Sequence, residues 1–366
     1  MNALSSTQGL GFVRHNLRRF VSARGLLLAV CATLSLGLPT LSYSQSAQMS
    51  APSSGQLPST IEQPVSQAVT LLRRIQEAAR HLSYRGVFAF QHGESIESAR
   101  IAHLFDGQVE KERIEVLDGP PREYLRRNDE VYSLLPEQQT VLREQRRGEN
   151  FPSLFLADAV AIEKNYEVVV APELYRVTGR PCRVIEIVPR DTHRYGYKLC
   201  ADVESNLLLK AQTLSTMGAV LDQVAFTQVA VGEPISEKML AASWEIASWK
   251  TIEIKQQTID LGALGWRVFS PPGYLPTAQL ARVFADKRTV NQFILSDGLA
   301  NISIFIEPYA TERSEYLSPG ASRNGSVSIF GIRVANFWVT VLGEVPASTL
   351  EQLAQSIQYV PSAGAR

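Results

Sequence analysis

Several things are scarce in this chain of 366 residues. It carries three cysteines and five histidines, and its 36 Lys+Arg are balanced by 36 Asp+Glu. Without a basic surplus, the global electrostatic footprint of a dedicated nucleic-acid binder is missing, so nucleic acid is not an expected partner. Beyond the amino-terminal segment, no apolar run approaches the roughly 20 residues that a helix needs to span a bilayer. Catalytic signatures are missing as well. There is no HExxH, no GxSxG elbow, no GxxxxGK[ST] loop and no strand-linked GxGxxG. The expectation is a protein without catalytic residues, metal or cofactor.

The few titratable candidates fit structural roles. His81 and His193 fall at a helix end and in a hairpin turn, while His92 and His103 fall on neighbouring strands, where a shared site is the alternative. Glu110, Glu112 and Glu115 alternate with Lys111 and Arg113, the pattern of a charge-paired strand face rather than of an acid/base pair.

What is present begins with Arg14, Arg18, Arg19 and Arg24, followed by the uncharged run Gly25–Leu38 and a small-x-small step at Ser42-Tyr43-Ser44. This is the layout of a secretory signal peptide over residues 1–44, the alternative being a retained anchor. Val30 before Cys31 argues against a lipoprotein signal. A Ser/Pro/Gln-rich lead-in covers 45–61. In the exported chain Cys182 and Cys200 flank the turn residues Pro189, Arg190 and Asp191. A hairpin symmetric about Asp191 sets the two directly opposite, at a separation a disulfide bridges. Secretion favours the oxidised pair over two reduced core cysteines.

With 45% hydrophobic residues the chain has material for about two domains. The first unit, 62–232, opens with apolar residues Ala68, Leu71, Leu72, Ile75, Ala79 and Leu82 at helical spacing. The period then changes to two, with strands at 86–92, 97–105, 109–117, 122–127, 130–135 and 140–144. The breaks between them are too short for parallel crossovers. A helix at Ser153–Glu163 and further strands to Val231 give about eleven strands in one strongly curved antiparallel sheet. Residues 233–258 read as a connector, and 259–361 as a second, smaller β-rich unit; the fold class is β-rich α+β. In the second unit Asp297-Gly298 is a two-residue turn signal that pairs Ser296 with Leu299 and Phe293 with Ile302. A last helix begins near Ser348, with Ser348 and Glu351 at capping-box spacing.

Two surfaces in the first unit are candidates for ligands. Phe88, Phe90, Tyr124, Leu125 and Tyr132 are candidate lining for an apolar pocket in the curved sheet, although strand alternation turns only part of this set inward. Arg143, Arg146 and Arg147 are a candidate rim for anionic head groups, or simply a solvated loop. In the second unit Asn301, Ser303 and Phe305 form the face opposite Phe293, Leu295, Ile302 and Ile304. Phe305 between polar neighbours suits a peptide-contacting surface, the alternative being packing against the first unit or against Trp244 and Trp249.

The phrases YRGVFAFQHG, ARIAHLFDGQVEKERIEVLDGPPREYLRRNDEVYSLLP, RVTGRPCRVIEIVPRDTHRYGYKLCADVESNLLLK, SDGLANISIFIEP and VTVLGEVPASTLEQLAQSI occur in this order. Together they resemble the periplasmic MucB/RseB regulators of the envelope-stress sigma factor, from about Ile61 to Val360; the two cysteines lie outside the family pattern. The resemblance implies a LolA/LolB-like half-open antiparallel barrel closed by helices, followed by a smaller carboxy-terminal β-rich domain. It implies a non-enzymatic periplasmic protein that binds a membrane-anchored anti-sigma factor, shields it from the site-1 protease and is released by acyl-bearing ligands such as mislocalised lipoprotein or lipopolysaccharide. Asn301, Ser303 and Phe305 would then face the anti-sigma factor, and a second copy of the chain is a further partner it allows. A lipid or lipoprotein carrier is the alternative function.

Overall fold

A computed structural model describes residues 67–145, 159–283, 289–311 and 319–361. The proposed signal peptide, the lead-in, Arg146 and Arg147 lie outside the described residues. The first element is the helix α1, Gln67–His81, which buries Val69, Leu71, Leu72, Ile75, Ala78 and Ala79 along one side. Its stripe matches the helical spacing in the sequence.

Eleven strands follow: β1 Tyr84–His92, β2 Ser95–Phe105, β3 Glu110–Val116, β4 Arg122–Arg127, β5 Glu130–Leu135, β6 Thr140–Gln145, β7 Tyr166–Val177, β8 Arg180–Pro189, β9 Gly196–Asp202, β10 Leu208–Leu214 and β11 Val220–Val231. A short helix, α2 (Ala159–Asn165), precedes β7. Successive strands pair antiparallel within β1–β6 and within β7–β11, and β1 pairs antiparallel with β11, which joins the two halves of the meander into one sheet. The connector contributes a one-turn helix, α3 (Glu237–Leu240), and a twelfth strand, β12 (Lys250–Glu253), parallel to β6. That parallel pair departs from the all-antiparallel expectation. The chain between Gln145 of β6 and Lys250 of β12 has ample length for the parallel return that short turns cannot make.

The sheet is curled, because Val177 of β7 and Ile114 of β3, far apart in strand order, share one apolar cluster with Cys182, Cys200 and Phe226. It is not closed: its terminal strands are β12 and β7. β7 leaves Val169, Val170, Leu174 and Tyr175 exposed at this edge. Its pairing with β8 breaks between Val170 and Leu174, where Pro172 sits. Proline and an irregular register both obstruct addition of a further strand.

Cys182 and Cys200 are joined by a disulfide with Cα atoms 5.4 Å apart. The register differs from the symmetric one. Cys182 lies opposite Asp202 and Cys200 opposite Val184, so the bond links diagonal neighbours. The reason is the loop after Pro189, which extends to Tyr195 and moves the hairpin axis past Asp191.

The second sheet has seven strands: β13 Lys255–Thr258, β15 Leu275–Val283, β16 Thr289–Ser296, β17 Asn301–Pro308, β18 Gly320–Asn324, β19 Val327–Val334 and β20 Phe337–Gly343. A two-stranded pair, β14 (Trp266–Arg267) and β21 (Gln358–Tyr359), closes it through the packed rings of Trp266, Phe337 and Tyr359. The helix α4, Ala347–Ser356, sets Leu350, Leu353 and Ala354 against Phe293, Leu295, Ile302 and Ile304. No capping box forms; Pro346 is the N-cap and its carbonyl accepts the Thr349 N–H, while the Thr349 hydroxyl bonds elsewhere.

Candidate functional site

Alternation along β1 puts Tyr84, Phe88, Phe90 and His92 on one face of the large sheet. Phe90, Val224, Ala211, Leu199 and Ile185 lie opposite one another from β1 through β11, β10 and β9 to β8, and a bulge in β10 between Leu208 and Lys210 divides the packing, so that Leu207, Leu209 and Cys200 join the Phe88 cluster while Leu208, Ala211 and Leu199 pack with the helices. At the far end of this row Leu199 and Ile185 are covered by Leu71, Leu72 and Ile75 of α1 and by Ile162 of α2. Nearer β1 the cover is thinner. Phe88 is buried with its ring edge-on to Phe226, whereas Phe90 and Tyr124 sit half-buried at the margin of the cluster.

Three of the five candidate lining residues are thus brought together. Leu125 and Tyr132 are not among them. They pair with each other on the opposite face, in a row running Arg113, Leu125, Tyr132, Arg143. The correction follows from the period of two, which separates Tyr124 from Leu125. Tyr132 donates to Glu130 at 2.8 Å, and Arg143 is bonded to Glu130 at 2.6 Å and to Glu253 at 3.1 Å. An arginine already bound to two carboxylates makes a poor phosphate rim.

The opposite face also holds a hollow of about 340 Å³, between Arg85, Val87, Arg100, Arg113 and Met239 of α3. Ion pairs pin the connector across it, from Arg85 to Glu233 and from Lys111 to Glu237. His92 and His103 do not share a site. His103 stacks on Tyr84, directs Nδ1 to the Leu82 carbonyl at 2.7 Å and Nε2 to Glu110 at 3.2 Å, and so ties the end of α1 to β3. Burial opposes its charge, but the Glu110 hydrogen bond, the Glu112 and Glu110 charges and the Leu82 carbonyl outweigh that and raise its pKa. Both ring nitrogens face acceptors, which suits the imidazolium.

The face assigned to Asn301, Ser303 and Phe305 is not a solvent face. Asn301 is 5% and Ser303 8% exposed, with only Phe305 half-buried. The Ser303 hydroxyl accepts from Gln292, while neither polar atom of the Asn301 amide has a hydrogen bond. The hairpin itself is longer than a two-residue turn. Ser296 pairs with Asn301 and Phe293 with Ile304, because Asp297 accepts the N–H groups of Leu299 and Ala300 through its own Oδ1 and so builds a four-residue turn. The shift of two residues leaves each side chain on its expected face.

That turn is inserted into the first domain. The other carboxylate oxygen of Asp297 accepts from Tyr166 at 2.7 Å and from Arg194 at 3.1 Å, and its carbonyl accepts from Asn165 at 3.0 Å. Arg194 is fully buried between the rings of Tyr166 and Tyr274, and it also donates to Asp191 and to the Pro272 carbonyl. Nearby, Tyr274 and Thr349 both donate to the His193 carbonyl. A second contact runs the other way. Asp222, on β11, accepts the Ser326 N–H of the β18–β19 turn at 2.7 Å, and its other oxygen meets Gly93 and His92. Both contacts need a glycine. A Cβ on Gly273 would stand 2.4 Å from the Asn165 side chain, and one on Gly325 would stand 2.1 Å from Asp222; both glycines have positive φ.

The sequence shows Asp297 only as a turn residue and gives no signal for Arg194, Tyr166 or Asn165, since a long-range socket has no local pattern.

The family model of the MucB/RseB N-terminal domain matches residues 67–244, and that of the MucB/RseB C-terminal domain matches 261–358. The Pseudomonas aeruginosa protein described as sigma factor AlgU regulatory protein MucB is 30% identical over 305 residues, which is 81% of this chain and 91% of that protein. This chain belongs to the MucB/RseB family. The Salmonella typhimurium sigma-E factor regulatory protein RseB is 26% identical over 79% of the chain and 90% of its own length. Among solved structures, MucB in complex with MucA(peri) matches with a TM-score of 0.62 at 28% identity, covering 81% of this chain and all of that one. The match is long enough to take in residues of both MucB/RseB domains. The relatives are named as regulatory proteins, not as enzymes.

Proposed function

We propose that this MucB/RseB-family protein is a periplasmic, non-enzymatic regulator that binds the periplasmic part of a membrane-anchored anti-sigma factor and protects it from site-1 proteolysis. Acyl-bearing ligands, a mislocalised lipoprotein or lipopolysaccharide, release it. The observation that carries the reading is the likeness, over both domains, to MucB in complex with MucA(peri). The half-covered apolar face at Phe90 and Tyr124 supports an acyl site in the first domain. Release is then linkage: the ligand shifts the equilibrium by as much as it prefers the unbound conformation.

A pull-down from periplasmic extract tests this. Recovery of an anti-sigma factor, its cleavage by the site-1 protease slowed by the added protein, is the expected result. Recovery of lipoproteins alone would replace the regulator with a carrier.

A further inference from the structure

The contact between the domains has a feature that simple tethering does not require. Leu299, in the same four-residue turn as Asp297, is buried in the apolar cluster that α1 and α2 form over the large sheet, beside Leu71, Leu72, Ile75, Ile162 and Tyr166. The turn therefore belongs to the same packed cluster as the two helices that cover one end of the Phe90 face, while its carboxylate is held by Tyr166, which follows α2, and by Arg194 of the β8–β9 loop. α1 is fixed at its other end by His103 through the Leu82 carbonyl. A chain that extends along the Phe90 face toward Leu199 meets α1, and α1 shares its apolar cluster with Leu299.

We propose that the Asp297 turn is a latch: docking of the second domain through Asp297 and Leu299 holds α1 and α2 down on the large sheet, and an acyl chain occupying that face undocks it. The inference rests on the acyl-binding reading above and adds the element that transmits the signal. Close-packed interiors do not deform continuously, so displacement of α1 is resolved by loss of the Leu299 and Asp297 contacts rather than by stretching them. The second contact, Asp222 of β11 with the Ser326 N–H of the β18–β19 turn, joins the domains through other elements than the Asp297 turn, so it acts as a pivot. A closed state that must open before ligand enters lowers apparent affinity by the fraction that is open, and breaking the latch removes that penalty.

The test uses the full exported chain, a dansylated medium-chain fatty acid as probe, and small-angle scattering for the radius of gyration. Three forms are compared: wild type, Asp297→Ala and Gly273→Val, the last of which drives a side chain against Asn165 and the Arg194 guanidinium while leaving the Asp297 carboxylate in place. Circular dichroism checks each fold. Saturating probe is expected to enlarge the wild type. Either variant is expected to be enlarged without probe and to bind it about tenfold more tightly. A folded variant as compact as the wild type would overturn the latch. Enlarged variants that bind the probe with wild-type affinity would overturn the coupling. If no form binds the probe, the acyl reading fails and the coupling with it, whereas the scattering result still decides whether the turn holds the domains. Should Asp297→Ala not fold, Gly273→Val alone carries the same three decisions.

Discussion

Arg143 and Arg194 make the same kind of cluster in two different places. Each guanidinium is bonded to two carboxylates, Glu130 and Glu253 in one case and Asp191 and Asp297 in the other. Each also lies near tyrosine rings, Tyr132 for the first and Tyr166 with Tyr274 for the second. What differs is burial. Arg143 keeps 41% of its side chain exposed, and Arg194 and Asp297 keep none. In water-exposed clusters, screening and side-chain entropy nearly cancel the attraction. In a buried one, removal of either partner strands a charge away from water. One chemistry thus decorates the edge of the large sheet and, at the domain junction, bridges two domains away from water.

The largest effect expected from breaking that comparison is at Asp297. Asp297→Ala leaves Arg194 buried with only Asp191, the Pro272 carbonyl and the rings of Tyr166 and Tyr274, a loss on the order of 3–5 kcal/mol of domain-docking free energy. Urea denaturation followed by Tyr and Trp fluorescence should lose its single transition, with the second domain unfolding or separating first. A single unshifted transition would show that the pair is not what positions the domain.

Asp222→Ala comes next. It removes acceptors from two backbone N–H groups and from His92, so about 1–3 kcal/mol is expected. A loss as large as that at Asp297 would show that full counter-charge is not what separates the two contacts.

How far this junction could be read from sequence depends on the range of the interactions. The first six strands were legible to within about two residues because their alternation and the turns at Gly93, Asp106-Gly107 and Asn128-Asp129 are local signals. Alternation also gave the apolar face of the Asp297 hairpin. It misled at Asn301 and Ser303, where a polar-apolar period that normally marks a solvent face accompanies residues that are buried. The five-residue pocket set failed for a simpler reason: Leu125 and Tyr132 are apolar enough for a core but stand on the other side of the pleat. Arg143 drew notice because it neighbours Arg146 and Arg147 in sequence. Arg194, alone among polar neighbours in DTHRYG, did not, and its partners Tyr166 and Asp297 are 28 and 103 residues away. The disulfide stood out because two cysteines in one hairpin have few alternatives.

A third prediction concerns His103, which is as buried as Arg194 but titratable. Its folded pKa is raised, so its contribution is fully present below the ordinary histidine value near 6.5 and is lost as pH rises through the folded value. Wild-type stability relative to His103→Gln should therefore decline as pH rises above about 6.5, with the amide protons at the end of α1 exchanging faster. A difference between the two proteins that stays constant across that window would mean the ring is held neutral and its hydrogen bonds alone matter.

The smallest effect is expected at Arg143, and it is the one that most sharpens the comparison. Arg143→Ala removes an arginine with two carboxylate bonds and a tyrosine beneath it, and by contact inventory it should matter as much as Arg194. By burial it should not. Glu130 and Glu253 remain accessible to water once the guanidinium is gone, so no charge is stranded. The denaturation midpoint of Arg143→Ala should match the wild type within error at moderate salt, and any small deficit at low salt should vanish as ionic strength rises. A salt-independent loss comparable to that of Asp297→Ala would mean that β12 is anchored to β6 by this cluster. The connector would then be a second fixed joint, and the domain junction would no longer rest on the buried contacts alone.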